Sequence, residues 1–581
     1  MERTKISNIS NKLFGISELL AEFIYSHPIF SAAWLCICCI CIPAKGTSLT
    51  GTVSLMLGTA VLGGTIAIYY YGRNKDKDKN SMKFSVITGV CSLAAALLFG
   101  YWIYIKGVYG PVILNGGLAA VGSIFLCLAA KNKLTAERII LLLFAAGFIM
   151  RLSYVIYMPV NMIQHDAYGL GSDAGHTAYI EYFINNGHLP DFDVRTIDQF
   201  YHPPFHHIIA ALWMKIQMMC GISIESAHEN VQLLTLFYST LCMILSYKIF
   251  RRAGLRKSGL IAATAVIAFC PAFYILSGSI NNDILSIALM LGALYNTLCW
   301  YKSRSVGRII CIALCIGLGM FTKLSVWMAA PPIAFIFIYV FFKDIKNIRK
   351  YLIQYIAFLA VCAPIGLFWS IRNLVRFGVP VTFVQRLSEN SSQYVGNIPI
   401  TTRLFDISPF QFKDMAEQFN MYKGTYNEYN PLVGFFKTSN FDEGIAYRRF
   451  PTIAGFDQIL FWSSVILGLA GFAALIYMLV SRSDKLKMPV KVFIASTYFL
   501  ILIMYYVFCI TFPHVCTQNV RYGVPLIVIG ALSLGYLIRG LLNSGSKAKK
   551  ITAAVLSSVI GIYALSGYMV YNAVAMSFVK F

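Results

Sequence analysis

The sequence has 581 residues, of which 58% are hydrophobic and only 13% are charged. Its mean hydropathy is +0.66. Soluble proteins have about a quarter charged residues, so this composition argues against a water-soluble fold and indicates a membrane protein. The formal net charge of +23 would suit a nucleic-acid-binding protein, but the basic residues lie in short clusters between apolar runs. Such clusters are typical of cytoplasmic loops, so we expect no nucleic-acid partner.

Apolar runs of about 18–22 residues recur along most of the chain, and each is long enough to cross a hydrocarbon core of roughly 30 Å as a helix. Inside lipid, a helix satisfies its own backbone hydrogen bonds, so we predict an all-α, polytopic fold with about 15 spans. The predicted spans are 28–44, 52–71, 84–105, 111–130, 138–157, 229–250, 259–276, 284–301, 308–320, 326–342, 351–369, 457–480, 491–510, 522–541 and 551–573.

The basic loops between these spans set the orientation of the chain. Residues 73–83 and 131–137 are basic and are predicted to be cytoplasmic, which places the amino terminus inside and the loop after Tyr157 outside. Residues 203–219 resemble another span, but counting them as one would move the basic segment 251–257 outside. We therefore predict that 203–219, which begins with two prolines, is an amphipathic helix on the outer membrane surface.

This topology divides the chain into six parts, two of which are long extracytoplasmic loops. The second of these loops is aromatic, and it could form a small cap or lie at the membrane interface. The parts are amino-terminal accessory helices (1–137), a first core span (138–157), an extracytoplasmic catalytic loop with surface helices (158–228), a core bundle (229–369), the second loop (370–456) and carboxy-terminal helices (457–581).

The first long loop concentrates polar chemistry, since it holds seven of the nine histidines and seven of the 25 acidic residues. Membrane insertion does not require such clustering, so we predict a polar site at the membrane surface, where histidine can act as a base or a ligand. The residues that we expect to face the substrate are His165, His176, Tyr179, His202, His206, Asn282 and Asp283.

Asp166 follows closely after a predicted span. Partial desolvation there would make its carboxylate a usable general base, although a helix-capping role is the alternative. Asp173 is the reserve candidate, because on a helix it would share one face with His176 and Tyr179. A metal site formed by Asp173 and His176 stays open as an alternative, but the spacing lacks a strong metal signature.

Three cations lie at predicted outer ends of spans, against the positive-inside trend. Lys323 follows Thr322 in an otherwise apolar stretch, Arg372 follows Ser370–Ile371, and Arg521 precedes Tyr522. Each cation alone could be a snorkelling anchor. Together, opposite a loop rich in carboxylates, they are better explained by an anionic lipid-phosphate substrate.

Several short motifs occur in order around this loop and the later spans. They are Asp166, NGHLPD (186–191), YHPPFHHIIAALW (201–213), INND (280–283), Thr322–Lys323 and Arg521–Tyr522. Their order and topology resemble the integral-membrane glycosyltransferases of the GT-C fold, most closely glycosyltransferase family 39, which includes protein O-mannosyltransferases and lipid A aminoarabinose transferases. The resemblance covers about residues 138–540. Ala167 stands where a second acid is usual, so the identity of the base stays open between Asp166 and Asp173.

The resemblance implies an enzyme that moves a hexosyl or related sugar from a polyprenyl-phosphate donor to an acceptor hydroxyl, with inversion. Asp166 would act as general base, and the donor phosphate would bind Lys323, Arg372, Arg521 and Tyr522. The expected partners are the donor, an acceptor of unspecified class and membrane lipids, in a bacterial plasma membrane. No cofactor is assigned; a divalent metal stays open but is not favoured.

Two other functions stay open from the residues alone. A transporter or flippase of a lipid-linked or polar solute would also span the membrane many times, but such proteins usually carry mid-span charges and inverted repeats, for which the sequence gives little sign. A non-catalytic assembly factor would explain the missing second acid.

Overall fold

The computed structural model describes residues 109–406, 421–422, 425–426, 428–445, 449–481 and 486–578. Within these ranges the regular secondary structure is helical except for a hairpin of two two-residue strands, so the predicted all-α fold is confirmed. Ten helical segments are long and apolar enough to cross a membrane, and two shorter apolar helices accompany them. The protein is therefore a multi-pass membrane protein.

The helices and strands are numbered here in chain order. They are α1 (Tyr109–Ala130), α2 (Ala136–Tyr157), α3 (Gly175–Asn186), α4 (Phe205–Met219), α5 (Ile224–Glu229), α6 (Val231–Arg252), α7 (Lys257–Phe269), α8 (Pro271–Ile275), α9 (Asp283–Ser303), α10 (Val306–Met320), α11 (Ala330–Lys343), α12 (Ile348–Phe377), α13 (Ile400–Phe405), β1 (Met421–Tyr422), β2 (Thr425–Tyr426), α14 (Pro431–Phe441), α15 (Phe456–Val480), α16 (Met488–Thr511), α17 (Val524–Leu542) and α18 (Lys547–Ser577). Short 3-10 turns occupy Leu324–Ala329, Ile345–Asn347, Pro451–Ile453, Val515–Gln518 and Val520–Tyr522.

Twelve of the fifteen predicted spans fall within the described residues, and helices occupy all twelve. The other three, at 28–44, 52–71 and 84–105, lie outside the described residues together with most of the predicted accessory part. The bundle is built from neighbouring pairs: α10 packs against α9 and α12, α7 packs against α17, and α15 packs against α17 and α18.

Two predicted spans differ from the observed helices. The span predicted at 259–276 is broken, because α7 ends at Phe269 and Pro271 starts the separate short helix α8. Proline cannot donate a backbone hydrogen bond, so an uninterrupted helix through this position is disfavoured. The span predicted at 351–369 continues to Phe377 in α12, so the second outer loop begins later than predicted and Arg372 is helical.

The helix predicted at 203–219 is confirmed as α4, which follows Pro204 and is separate from the long spans. One face is buried, whereas Leu212, Ile216 and Met219 are at least half exposed. An exposed apolar face on a helix of this length suits a position on the lipid surface. The surface location itself stays a prediction.

The second long loop contains helices and several short turns within its described residues. Helix α14 buries its inner side against α15 and the 3-10 turns at 515–522, and Asn430 caps its amino terminus. A buried ion pair joins Lys437 in this helix to Glu428 just before it. For this part of the loop, the cap interpretation is favoured over an interfacial aromatic belt.

A reciprocal glycine contact allows α7 and α17 to approach closely. A Cβ added at Gly535 would lie 2.5 Å from the carbonyl oxygen of Gly259. We expect Gly535→Ala to lower the midpoint of thermal unfolding in detergent, because overpacking a close contact typically costs about 1–3 kcal/mol. The matched control is Gly540→Ala on the same helix, where an added Cβ meets no atom within 4 Å. Equal midpoints for the two variants would contradict this account of the helix contact.

Candidate active site

Three segments that are distant in the sequence meet at one end of the bundle. Asp283 is the first residue of α9, Lys323 follows α10, and Arg521 lies in the 3-10 turn before α17. The Lys323 ammonium forms an ion pair with the Asp283 carboxylate. Arg521 lies 3.8 Å from the same carboxylate, so one acidic side chain serves two cations.

The backbone around these charges is fixed by asparagine side chains. The Asn281 side chain accepts a hydrogen bond from the backbone N–H of Asp283 (3.1 Å), and the Asn282 side chain donates to the carbonyl of Thr322 (2.9 Å). The Asn519 side chain accepts from the backbone N–H of Arg521 (3.0 Å). Asn282, predicted to face the substrate, therefore has a positioning contact in this structure.

Arg521 is buried but loosely held. Its guanidinium contacts the carboxylates of Asp166 and Asp283 only at 3.8 Å, and its Nε atom is buried without a hydrogen-bond partner. Tyr522 lies between the two cations, with its ring 4.8 Å from Lys323 Nζ and 5.0 Å from the guanidinium carbon. Buried donors are normally paired, so this guanidinium has capacity left for a ligand.

Asp166 lies beside Arg521, as the prediction of a carboxylate near outer cations requires. Its side chain is 41% exposed, so it is less desolvated than the sequence suggested. Its backbone has φ of +54°, and its carbonyl accepts a hydrogen bond from the N–H of His176, the second residue of α3 (2.8 Å). Gly175 permits this contact, since an added Cβ there would lie 2.6 Å from the Asp166 carbonyl oxygen.

The reserve candidate Asp173 is placed differently from its prediction. Helix α3 begins only at Gly175, so Asp173 is an exposed loop residue and does not share a helical face with His176 and Tyr179. The first N–H groups of α3 donate to loop carbonyls, those of Asp198, Asp166 and Ala167, so the helix begins at Gly175 and does not include residue 173. The structure gives Asp173 no contact with the charged cluster.

Most histidines of the first loop are buried, and their role as lining of the substrate site stays a prediction. His176, His206 and His207 are buried, with His176 Nδ1 2.9 Å from His207 Nε2 and Tyr179 stacked on His207. Burial, followed by repulsion from neighbouring histidines, holds the pKa of His176 well below its ordinary value. Burial likewise lowers the pKa of His202 to about 3, with a further contribution from Lys323. These rings are therefore neutral near pH 7.

Arg372 contacts residues other than those of the cluster formed by Asp283, Lys323 and Arg521. Its guanidinium donates to the carbonyl of Pro190 and to the side chain of Asn373, and it lies over the ring of Trp369. These contacts anchor the end of α12 to the first long loop. Arg372 therefore shares no contact with Lys323 or Arg521.

A second polar network was missed by the sequence analysis. His165 Nε2 donates to Asp442 (2.8 Å), and its Nδ1 lies 3.3 Å from Glu443. The Asn519 side chain donates to both carboxylates, at 2.8 and 3.2 Å. The signal available in the sequence was an acidic pair, Asp442–Glu443, before Gly444 in an aromatic loop.

This network forms one wall of a cleft beside Asp166. Residues 161–168 and 442–444 enclose a cavity of about 340 Å³ that includes the Asp166 and Glu443 side chains. Burial alone would lower the pKa of His165, but the carboxylates of Asp442 and Glu443 raise it to about 10. The imidazolium therefore joins the two long loops as a cation.

The same three side chains are also the described group most similar to a metal site. One ligand atom from each of His165, Asp442 and Glu443 lies within 4.8 Å of the others. Both ring nitrogens of His165 already contact carboxylates, so a metal ion would have to replace the imidazolium proton. The ionic network is complete without such a ligand.

Comparisons with known proteins show what the chain is similar to. Residues 201–369, less than a third of the chain, match the family model of dolichyl-phosphate-mannose-protein mannosyltransferases. In this segment the chain resembles a GT-C glycosyltransferase, as predicted. The matched segment contains α4, Asp283 and Lys323, and no curated protein matches the chain.

Two solved structures show distant similarity. One is the archaeal oligosaccharyltransferase AglB from Archaeoglobus fulgidus, in complex with an inhibitory peptide and a dolichol-phosphate (TM-score 0.44, 14% identity, covering 75% of this chain and 56% of that chain). The other is ArnT from Cupriavidus metallidurans bound to undecaprenyl phosphate (TM-score 0.40, 13% identity, 75% and 76%). The chain thus spans little more than half of AglB.

The His165 network predicts a pH-dependent contribution to stability. Because the folded-state pKa lies above the ordinary 6.5, the contribution is complete below about pH 6.5 and is lost as pH rises through about 10. We expect His165→Gln to lower the thermal midpoint at pH 7, by a difference that narrows towards pH 10. The control is His188→Gln, an exposed histidine of the same loop. A difference that stays constant with pH would contradict the assignment.

Proposed function

We propose that this protein transfers a sugar from a polyprenyl-phosphate donor to an acceptor hydroxyl at the extracytoplasmic face of the membrane. The observation that carries the proposal is Arg521, a cation whose side chain is only 8% exposed, with an unpaired, buried Nε atom and only loose carboxylate contacts, next to Lys323, whose side chain is 13% exposed. A buried unpaired donor costs free energy unless a ligand uses it. A lipid phosphate supplies oxygen atoms of the required charge at the required depth.

On the donor side, Lys323 and Arg521 hold the phosphate, and Tyr522 packs between the two cations. Burial lowers the pKa of Lys323, but the Asp283 carboxylate opposes this shift. Asp283 thus keeps the site close to electrical balance before the donor arrives. Arginine can present two parallel donors to a phosphate, whereas lysine acts as a point charge.

On the acceptor side, Asp166 forms part of the cleft wall and lies 3.8 Å from Arg521, so the base is next to the phosphate site. The acceptor oxygen loses its proton to Asp166 and bonds to the anomeric carbon. The bond between that carbon and the phosphate oxygen breaks, and its electron pair stays on the phosphate. Attack opposite to the leaving group inverts the anomeric centre, and the two cations stabilise the developing charge.

The distribution of basic residues between the spans supports a location and an orientation in the membrane. The positive-inside pattern supports a cytoplasmic amino terminus and places both outer loops, with the cleft between them, on the extracytoplasmic side. We place the protein in a bacterial plasma membrane, with membrane lipids around the bundle. The sugar is a hexosyl or related unit, and the acceptor is a hydroxyl-bearing molecule that fits the cleft.

The base assignment is tested by Asp166→Asn, which keeps the shape of the side chain and removes the proton acceptor. We expect loss of sugar transfer by at least ~100-fold, because general-base catalysis typically contributes about 10²–10⁴-fold. Binding of undecaprenyl phosphate should change little. Transfer is measured with membranes, labelled lipid-linked sugar and extracts of the cell envelope as acceptor. Full transfer by the variant would remove Asp166 from the mechanism.

The phosphate site is tested by Arg521→Gln, with Arg376→Gln as the control. Arg376 is an exposed arginine in the last turn of α12. We expect Arg521→Gln to weaken binding of undecaprenyl phosphate by roughly tenfold or more, because a charge-assisted hydrogen bond to phosphate is lost. Arg376→Gln should bind like the unmodified protein. Movement of labelled lipid across liposomes without any sugar transfer would instead favour a flippase.

A further inference from the structure

The broken span between α7 and α9 is an unusual feature of the bundle. Helix α7 ends at Phe269, α8 has five residues, and the chain from Leu276 to Asn282 is not helical before Asp283 starts α9. All residues from Cys270 to Asp283 are buried. Non-helical backbone at membrane depth persists only where protein groups satisfy its carbonyls and N–H groups.

Arg151 donates hydrogen bonds to the backbone carbonyls at the carboxyl end of α7. It lies within α2, is fully buried, and donates to the carbonyls of Ile267 and Ala268, each at 3.0 Å. The same guanidinium donates to the hydroxyl of Ser239 on α6 (3.0 Å). This mid-span charge thus contacts neutral oxygen atoms, and two of them, the carbonyls of Ile267 and Ala268, lie at the helix end next to the break at Pro271.

Three polar side chains on one face of α6 donate hydrogen bonds to carbonyls in the rest of the segment. Ser239 donates to the carbonyl of Phe273 (2.6 Å) and Thr235 donates to that of Ser277 (2.7 Å). Gln232 donates to the carbonyl of Gly278 (2.9 Å). Positions 232, 235 and 239 share one face of a helix, and their contacts follow the segment in order towards Asp283.

The other side of the segment is joined to the outer loop. Gln164, two residues before Asp166, donates to the carbonyl of Gly278 (2.7 Å) and accepts from the N–H of Ile280 (3.1 Å). His206 on α4 donates to the carbonyl of Ile280 (2.8 Å). The segment that ends in Asp283 is thus held between α6 and the elements that carry the candidate base.

We propose that Gln232, Thr235 and Ser239 are positioning residues for the donor-phosphate site. They fix the depth of the segment that ends at Asp283, and Asp283 in turn holds Lys323 and Arg521. This inference rests on the proposed function, because the phosphate is the ligand whose site they set. None of the three touches the ligand; each acts through the backbone of residues 273–278.

The experiment compares two identical changes on one helix. Thr235→Val removes a hydroxyl that reaches the segment, whereas Thr240→Val removes one that bonds only Leu236 of α6 itself (2.8 Å). Both threonines are fully buried. We expect Thr235→Val to weaken binding of undecaprenyl phosphate by roughly tenfold, since small displacements of positioned groups have effects of this order or larger. Thr240→Val should bind normally, and Thr235→Ser should restore binding.

A second readout needs no ligand. Hydrogen–deuterium exchange of the peptide covering 276–283 should accelerate in Thr235→Val and stay unchanged in Thr240→Val, while the thermal midpoints of the two variants stay similar. Unchanged exchange, or equal binding by the two valine variants, overturns the positioning role. If the unmodified protein fails to bind undecaprenyl phosphate, the proposed function fails, and the exchange comparison still decides whether the polar face of α6 holds the segment.

Discussion

Backbone carbonyls that leave a helix inside the membrane-spanning bundle need protein partners, and this constraint shapes the candidate site. Pro271 interrupts the span, and the chain then reaches Asp283 without helical hydrogen bonds. Arg151 and the polar face of α6 provide the missing donors. A straight span would continue through this region in helical form, and the acidic turn would not approach the turns that follow α10 and precede α17.

The charges of the cluster next to this turn nearly cancel. Lys323 and Arg521 are cations, and Asp283 and Asp166 are their acidic neighbours. Burying a cation is costly unless a counter-charge is close, so the acids allow two cations to lie inside the protein. The contacts of Arg521 with both carboxylates are 3.8 Å long, and its Nε atom has no hydrogen-bond partner. Under the proposed function, the phosphate would use this remaining donor.

Contacts of His165 hold the two long loops together. Its imidazolium joins the segment that carries Asp166 to Asp442 and Glu443 of the second loop, and Asn519 connects this network to the turn that carries Arg521. Asp166, the cleft wall and Arg521 are therefore held by one set of contacts. The second loop thus forms part of the cleft although its sequence carries no motif of the resembled family.

The sequence by itself determined the all-α membrane fold, the positions of nearly all described spans and the separate helix α4, because hydropathy and charge act along the chain within single segments. It also named Asp166, Asp283, Lys323 and Arg521, which the structure brings together. Only the tertiary structure decided that His176, His206 and His207 are interior, that Arg372 lies apart, and that Asp442, Glu443 and Asn519 join the site. Burial and contact between residues hundreds of positions apart depend on how helices pack, and local patterns do not encode that packing. Arg151 and the polar residues at 232, 235 and 239 stand out in apolar spans of the sequence. Their role became clear only from the structure, which shows the broken segment that they contact.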